Sequence, residues 1–186
     1  MKFRLVKKDD YQAIWQIYNN YIQTPITFEF EMPDLVEFEE RLDNITKEYP
    51  CIVCEVDGEI LGYAYAHRFA ERAGYNWTAE LSVYTDPRAK GLGLGRQLYE
   101  KMLKLSELQG IRTVFGIVSQ DNESSEKLHE KLGFKLAGVF QNVGFKDGQW
   151  LSCSYYEKEI GPYEQELAPI VNINDIPEDK IASILE

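Results

Sequence analysis

Three features of this chain could do chemistry. The first is Asp86-Pro87-Arg88-Ala89-Lys90-Gly91-Leu92-Gly93-Leu94-Gly95-Arg96, with glycines at alternate positions and basic residues on either side. Glycine lets the backbone turn sharply and expose consecutive N–H groups. Where a helix opens just beyond, those donors and the helix dipole form an anion site suited to a phosphate. The segment is not a P-loop, which needs Gly-Lys-Ser/Thr, nor a dinucleotide fingerprint, whose G-x-G-x-x-G follows the first strand of a βαβ unit. A glycine-rich turn without a ligand is the competing reading.

The second feature is Glu80. Alternation along Trp77–Thr85 puts Glu80, Ser82 and Tyr84 on one face of a strand, and Ala79, Leu81 and Val83 on the other. A carboxylate in that position is either a solvated or ion-paired strand-face group or a general base. The third feature is histidine, the side chain that exchanges a proton near neutral pH. The chain has two, His67 and His129. A lone histidine is more often structural, and no motif surrounds His67, so it is read as structural.

Cys51-Ile52-Val53-Cys54 matches C-x-x-C, but the run reads as a strand, in which residues three apart point to opposite faces. The sulfurs would diverge, and no second pair completes a zinc site. Buried small hydrophobes are the better reading, and no metal is expected.

Elements that would position these residues follow from periodicity. Phe3–Val6 reads as a strand. A helix follows, with Tyr11, Ile14, Trp15, Tyr18, Tyr21 and Ile22 at helical spacing and Asp9 or Asp10 as N-cap. Core packing accounts for its aromatics. Residues 23–32 read as a loop, and Asp34 caps a second helix carrying Leu35, Phe38, Leu42 and Ile45. Asp57-Gly58 joins strands Cys51–Val56 and Glu59–His67 as a hairpin. Trp77–Thr85 is a strand, and the glycine segment opens a helix stopped by Gly110. Ile111–Val118 is an apolar strand expected to be buried on both faces. Asn122–Leu132 is a helix stopped by Gly133. Phe134–Phe140 and Trp150–Lys158 are final strands. The order β-α-α-β-β-β-α-β-α-β-β predicts an α/β (α+β) fold, a central mixed sheet flanked by helices in three layers.

Residues 1–160 form one domain on this reading. Residues 161–186 form an acidic C-terminal tail that could pack as an appendage, pair with another subunit, or stay mobile. The 186 residues suffice for one sizeable core, and the net charge of −11 disfavours a nucleic-acid partner. No secretory leader and no membrane span is read, so a cytoplasmic enzyme is expected.

Basic-x-x-G-x-G after a strand and opening a helix resembles the pyrophosphate loop of the GNAT acyltransferase superfamily. Lys90-Gly91-Leu92-Gly93-Leu94-Gly95 is the frame that aligns the following helix. Lys90 departs from the usual Gln or Arg, and Arg88-Ala89-Lys90-Gly91-Leu92-Gly93 matches in a second frame. Asn122-Glu123-Ser124-Ser125, then Leu128-His129-Glu130-Lys131-Leu132-Gly133-Phe134, resembles the superfamily's following helix signature. Tyr75-Asn76-Trp77-Thr78-Ala79-Glu80, Val83-Tyr84, His129-Glu130 and Gly144-Phe145-Lys146-Asp147-Gly148-Gln149-Trp150 are similar to the phosphinothricin N-acetyltransferase subfamily. The resemblance runs from about Phe3 to Ile160.

The resemblance implies a GNAT-like fold and transfer of acetyl from acetyl-CoA to the amino group of a small amino acid-like amine. It implies that the cofactor is held by Val83, Tyr84, Lys90, Gly91, Leu92, Gly93, Leu94, Gly95, Arg96, Asn122 and Ser125. It places a general base at Glu80, and puts His129 where many members carry a Tyr proposed as general acid. Backbone N–H groups over Leu81–Tyr84 would face the oxyanion. The acceptor pocket is expected from Phe28, Arg72, Tyr75 and Phe145, although Arg72 also reads as a solvated loop residue. A homodimer is implied. A peptide N-terminal acetyltransferase and a non-catalytic acyl-CoA-binding domain are the alternatives.

Overall fold

The structure is a computed structural model and describes residues 1–164 and 166–186. Its strands are β1 (Lys2–Leu5), β2 (Cys51–Val56), β3 (Glu59–Arg68), β4 (Thr78–Thr85), β5 (Thr113–Ser119), β6 (Lys135–Lys146) and β7 (Gln149–Glu159). The helices are α1 (Tyr11–Ile22), α2 (Leu35–Thr46), α3 (Leu94–Gln109), α4 (Glu123–Lys131) and α5 (Glu178–Leu185). One sheet runs β1-β2-β3-β4-β5-β7-β6, with every pair antiparallel except β4–β5.

Alternation along β2 shows how the sheet divides the core. Cys51 and Val53 pack with Ile14, Ile17, Phe38 and Leu42 of α1 and α2. Ile52 and Cys54 pack on the other side, with Leu98, Met102 and Leu105 of α3. The two sulfurs therefore lie on opposite faces, both buried and free. Three layers result, α1 and α2 on one face and α3, α4 and α5 on the other.

Several elements differ from expectation for local reasons. Asp10 does not cap α1 with its side chain. Its carboxylate takes the Lys7 N–H at 2.7 Å and the Arg4 guanidinium at 2.6 and 2.9 Å. Asp34 does cap α2, accepting from the Glu37 N–H at 2.9 Å. β6 runs to Lys146 because Asp147 (φ 49°) and Gly148 (φ 77°) make a two-residue turn onto β7. Two residue types that tolerate positive φ allow this tight connection. β5 is not buried on both faces. Val114, Gly116 and Val118 are buried, whereas Phe115 and Ile117 are half-buried, because their side of the strand faces an opening in the sheet.

Beyond residue 160, the stretch from Ile173 to Leu185 packs onto the sheet. Ile173, Ile176, Ile181 and Leu185 join the core with α3 and Phe3. Burying each such side chain contributes about 1.5–3 kcal/mol. The Gln109 amide donates to the carbonyls of Glu48 and Val171, and Lys101 Nζ donates to Ile184 O at the end of α5. Among the described residues no helix is long and apolar enough to cross a membrane.

Candidate active site

The glycine segment opens α3 as its spacing predicts. Asp86 caps a short turn, accepting from the Arg88 N–H at 2.8 Å. Gly91 and Gly93 take the left-handed region (φ 86° and 66°), and Gly93 is the N-cap of α3. Arg88 folds back onto Asp86 and Glu59, away from the glycines. Lys90, Arg96, Lys127 and Lys131 stand round a cavity of about 370 Å³ walled by Gly91 and Gly93, with Arg96 paired to Glu100 and Lys127 to Glu123 along their own helices. In a chain of net charge −11 this is local positive charge at a helix N-terminus, as a phosphate requires. Leu92 is exposed, while the Leu94 side chain is core, so Leu94 serves the loop through its backbone.

The sheet splits beside this cavity. β4 and β5 pair only at Thr78↔Thr113, Ala79↔Val114 and Glu80↔Phe115. β5 continues along β7 to Ser119↔Cys153, and β4 along β3 to Thr85↔Gly62. Between them opens a cleft of about 270 Å³ whose walls include Val83, Tyr84, Asn122, Ser125 and His129. The Leu81 carbonyl lies 3.3 Å from Tyr99 Oη. Thr85 donates its N–H to Tyr21 Oη at 3.0 Å and accepts that hydroxyl's proton at 2.7 Å. Residues two apart on a strand present backbone groups to the same side, so Val83 between them offers its N–H and C=O to the cleft. An open strand edge ending at a cationic glycine cradle fits an extended chain carrying a diphosphate. Asn122 Oδ1 caps α4, accepting from the Ser125 N–H at 3.3 Å.

Glu80 sits at the apex of the split, on the α1–α2 face with Ser82 and Tyr84. The antiparallel register sets it opposite His67, whose Nε2 lies 3.6 Å from Glu80 Oε1. Burial alone would lower the His67 pKa, but the Glu80 carboxylate, by hydrogen bond and charge, raises it above its usual 6.5. His67, read as structural from the sequence, is thus the immediate neighbour of the candidate base. The signal was strand register, which a hairpin reading of β3 alone did not include.

His129 is fully buried, at 1 % exposure, rather than on the helix surface. Its ring stacks on Tyr156 and meets Tyr99 and Phe134 edge-on. Gly116 of β5 makes the room, since a Cβ there would lie 2.0 Å from His129 Nε2. Nδ1 donates to Ser125 O at 2.8 Å, so Nε2 accepts from Tyr99 Oη at 2.7 Å. Burial lowers the His129 pKa. His129 and Glu80 lie on opposite sheet faces and meet only through the split. Tyr99, which sequence reasoning did not single out, is the hydroxyl between His129 and β4.

The acceptor-side candidates are brought together only in part. Tyr75 packs on Phe69, with ring centroids 6.0 Å apart, and Phe69 stacks on Phe115, the pairing partner of Glu80. Phe28 lies over Gly144 of β6, where a Cβ would come 2.2 Å from its ring. Phe145 points elsewhere, exposed and edge-on to Trp150. Arg72 is exposed and ends the loop before the short turn at Ala73–Tyr75. Sequence reasoning did not single out Lys146. At 3 % exposure, its Nζ donates to Ile22 O, Thr24 O and Thr27 O at 2.6–2.7 Å. It ties the α1–α2 loop, which carries Ile26 into the cleft wall, to the β6–β7 hairpin. Burial lowers its pKa, against the charges of Asp147 and Glu29.

A mixed sheet split at a β4–β5 junction, with a glycine cradle opening α3, defines an acyl-CoA-type acyltransferase. Residues 3–153 match the family described as Acetyltransferase (GNAT) domain, and the chain belongs to that family. It is 35% identical over 152 residues to a phosphinothricin N-acetyltransferase of Streptomyces viridochromogenes, covering 81% of this chain and 83% of that one. It is 31% identical over 156 residues to an L-methionine sulfoximine/L-methionine sulfone acetyltransferase of Pseudomonas aeruginosa, covering 82% and 91%. A solved GNAT superfamily phosphinothricin acetyltransferase from Sinorhizobium meliloti, in complex with acetyl-CoA, superposes with a TM-score of 0.85 at 29% identity, covering 92% and 97%.

Proposed function

We propose that the protein moves acetyl from acetyl-CoA to the amino group of a small amino acid-like amine of the phosphinothricin or methionine sulfoximine type. The observation that carries this reading is the split itself, with the glycine cradle at its mouth and Glu80 at its apex. Acetyl-CoA, when bound, supplies the activated acetyl group as a thioester. The N–H groups of Lys90–Gly95, with the Lys90 and Arg96 side chains, are the donors for its diphosphate. Val83 offers its backbone to the extended arm, Tyr84 lines the same wall, and Asn122 and Ser125 line the opposite one.

An ammonium has no lone pair, so the acceptor must lose a proton before it attacks. Glu80 accepts that proton, through water where the two are not in contact. Backbone N–H groups on the open edge of β4 stand where negative charge would develop on a carbonyl oxygen. Tyr99 Oη, bonded to His129 Nε2, lies under the split; His129 acts as general acid in its imidazolium form, passing its Nε2 proton to Tyr99 as the Tyr99 proton goes to the leaving group. Tyr75 and Phe28 bound the acceptor and Arg72 is the cation for an acidic side chain, while Phe145, turned onto Trp150, stays outside the pocket.

We also assign a homodimer and a cytoplasmic location. β6 is an edge strand that exposes Leu136, Phe140 and Val143. Such an apolar edge is unstable alone and pairs with a second copy. Three free, buried cysteines fit a reducing compartment. A turnover assay with acetyl-CoA and a panel of amines tests the substrate: acetylation of the amino acid analogues is expected. Turnover of peptide N-termini alone would replace this reading, and binding of acetyl-CoA without turnover of any amine would refute it.

A further inference from the structure

His67 faces two oxygens that only accept hydrogen bonds. Its Nδ1 lies 3.0 Å from the Arg68 carbonyl, and its Nε2 lies 3.6 Å from the Glu80 carboxylate. A neutral imidazole carries one N–H and would turn a lone pair on one of these oxygens. With Glu80 ionised, both contacts are favourable only for the imidazolium. The pair is reachable, with side-chain exposures of 34% and 20%.

The tyrosine and cysteine side chains nearby stay neutral around it. Tyr65 of β3, its ring 5.8 Å from His67, is pushed up to about 12 by burial, as is Tyr18 of α1. Tyr84 of β4, Tyr99 of α3, and Cys153 and Tyr155 of β7 are also raised by burial, with the Glu80 charge adding to it. Arg68, next along β3, is committed to Glu48 at 3.3 Å.

We propose that His67 is the positioning partner of Glu80, an imidazolium that orients the carboxylate and holds it in its charged, proton-accepting form. This rests on the reading of Glu80 as base. In the step served, one N–H bond of the acceptor ammonium breaks and its proton passes to a Glu80 oxygen, leaving a neutral amine and a neutral carboxylic acid. The unpaired His67 cation then favours release of that proton to water, restoring the ion pair.

The test begins with the histidine ring-proton NMR of the whole chain, whose two histidines should titrate in opposite directions from 6.5. His67 should titrate above 6.5, and in Glu80→Gln its midpoint should fall by about one unit, the effect of an opposite charge within ~4–6 Å. In turnover, His67→Gln should move the acid limb of the kcat/KM profile to higher pH by about one unit with CoA affinity unchanged. In a Glu80→Gln background it should add no further loss. A His67 midpoint at or below 6.5, or one that Glu80→Gln leaves in place, overturns the pairing. An unmoved acid limb in His67→Gln overturns the role. If Glu80→Gln keeps full activity, it is the reading of Glu80 as base that fails, while the NMR arm still reports on the pair.

Discussion

Glu80→Gln keeps the side chain's shape and removes its basicity. General base catalysis is worth roughly 10²–10⁴ in rate, and a loss of that order in kcat is expected at neutral pH. CoA affinity should stay near wild type, because the glycine cradle lies at the far end of the cleft. Raising the pH should restore part of the rate, since more acceptor is then already neutral. Full kcat at pH 7 would return Glu80 to an ion-paired strand-face role. His129→Phe should cost less, because a thiolate leaves without much help, and high pH should not rescue it. The structure adds a reason for care with that variant. His129 fills the hole over Gly116 and accepts from Tyr99. Tyr99→Phe removes the hydroxyl with far less disturbance of packing, and kinetics on both variants across pH 6–10 separates the proton from the packing.

Two elements hold the cleft open in the right shape. The glycine cradle has empty space around it, since a Cβ on Gly91 or Gly93 meets nothing within 4 Å. Gly93→Val is therefore not a clash. It places a β-branched residue at φ 66°, a genuine outlier conformation for such a side chain. Calorimetry should show weakened CoA binding, with a smaller fall in melting temperature. The α1–α2 loop depends on Lys146, whose three bonds are to backbone carbonyls. Hydrogen bonds to a charged group are worth about 1.5–3 kcal/mol each, so Lys146→Met should free the loop. The expected result is a higher KM for the amine with an unchanged Kd for CoA. Equal weakening of both would show that Lys146 supports the fold as a whole.

At the scale of the molecule, the two edges of the sheet are treated differently. At the β1 edge, α5 and Ile173, Ile176, Ile181 and Leu185 pack alongside. At the β6 edge nothing among the described residues covers Leu136, Phe140 and Val143. Sedimentation should give a dimer mass that Phe140→Glu with Val143→Glu converts to a monomer. A concentration-independent monomer for the wild type would dismiss the dimer.

The sequence by itself determined the elements and the class of fold. Helical spacing in Tyr11–Ile22, alternation in Cys51–Val56 and Trp77–Thr85, and Asp57-Gly58 and Gly110 as breakers are local patterns, and local patterns follow from backbone geometry. The pyrophosphate cradle was legible for the same reason, since its glycines, cations and helix start are consecutive. Tertiary structure alone decided what depends on register and on distant contacts. His67 faces Glu80 because β3 and β4 pair in one register of several. Lys146 reaches α1 across 124 positions. His129 became buried because Gly116, on another element, has no side chain. The split between β4 and β5 is where pairing stops, and no residue in either strand announces it, because an unmade hydrogen bond leaves no mark on composition.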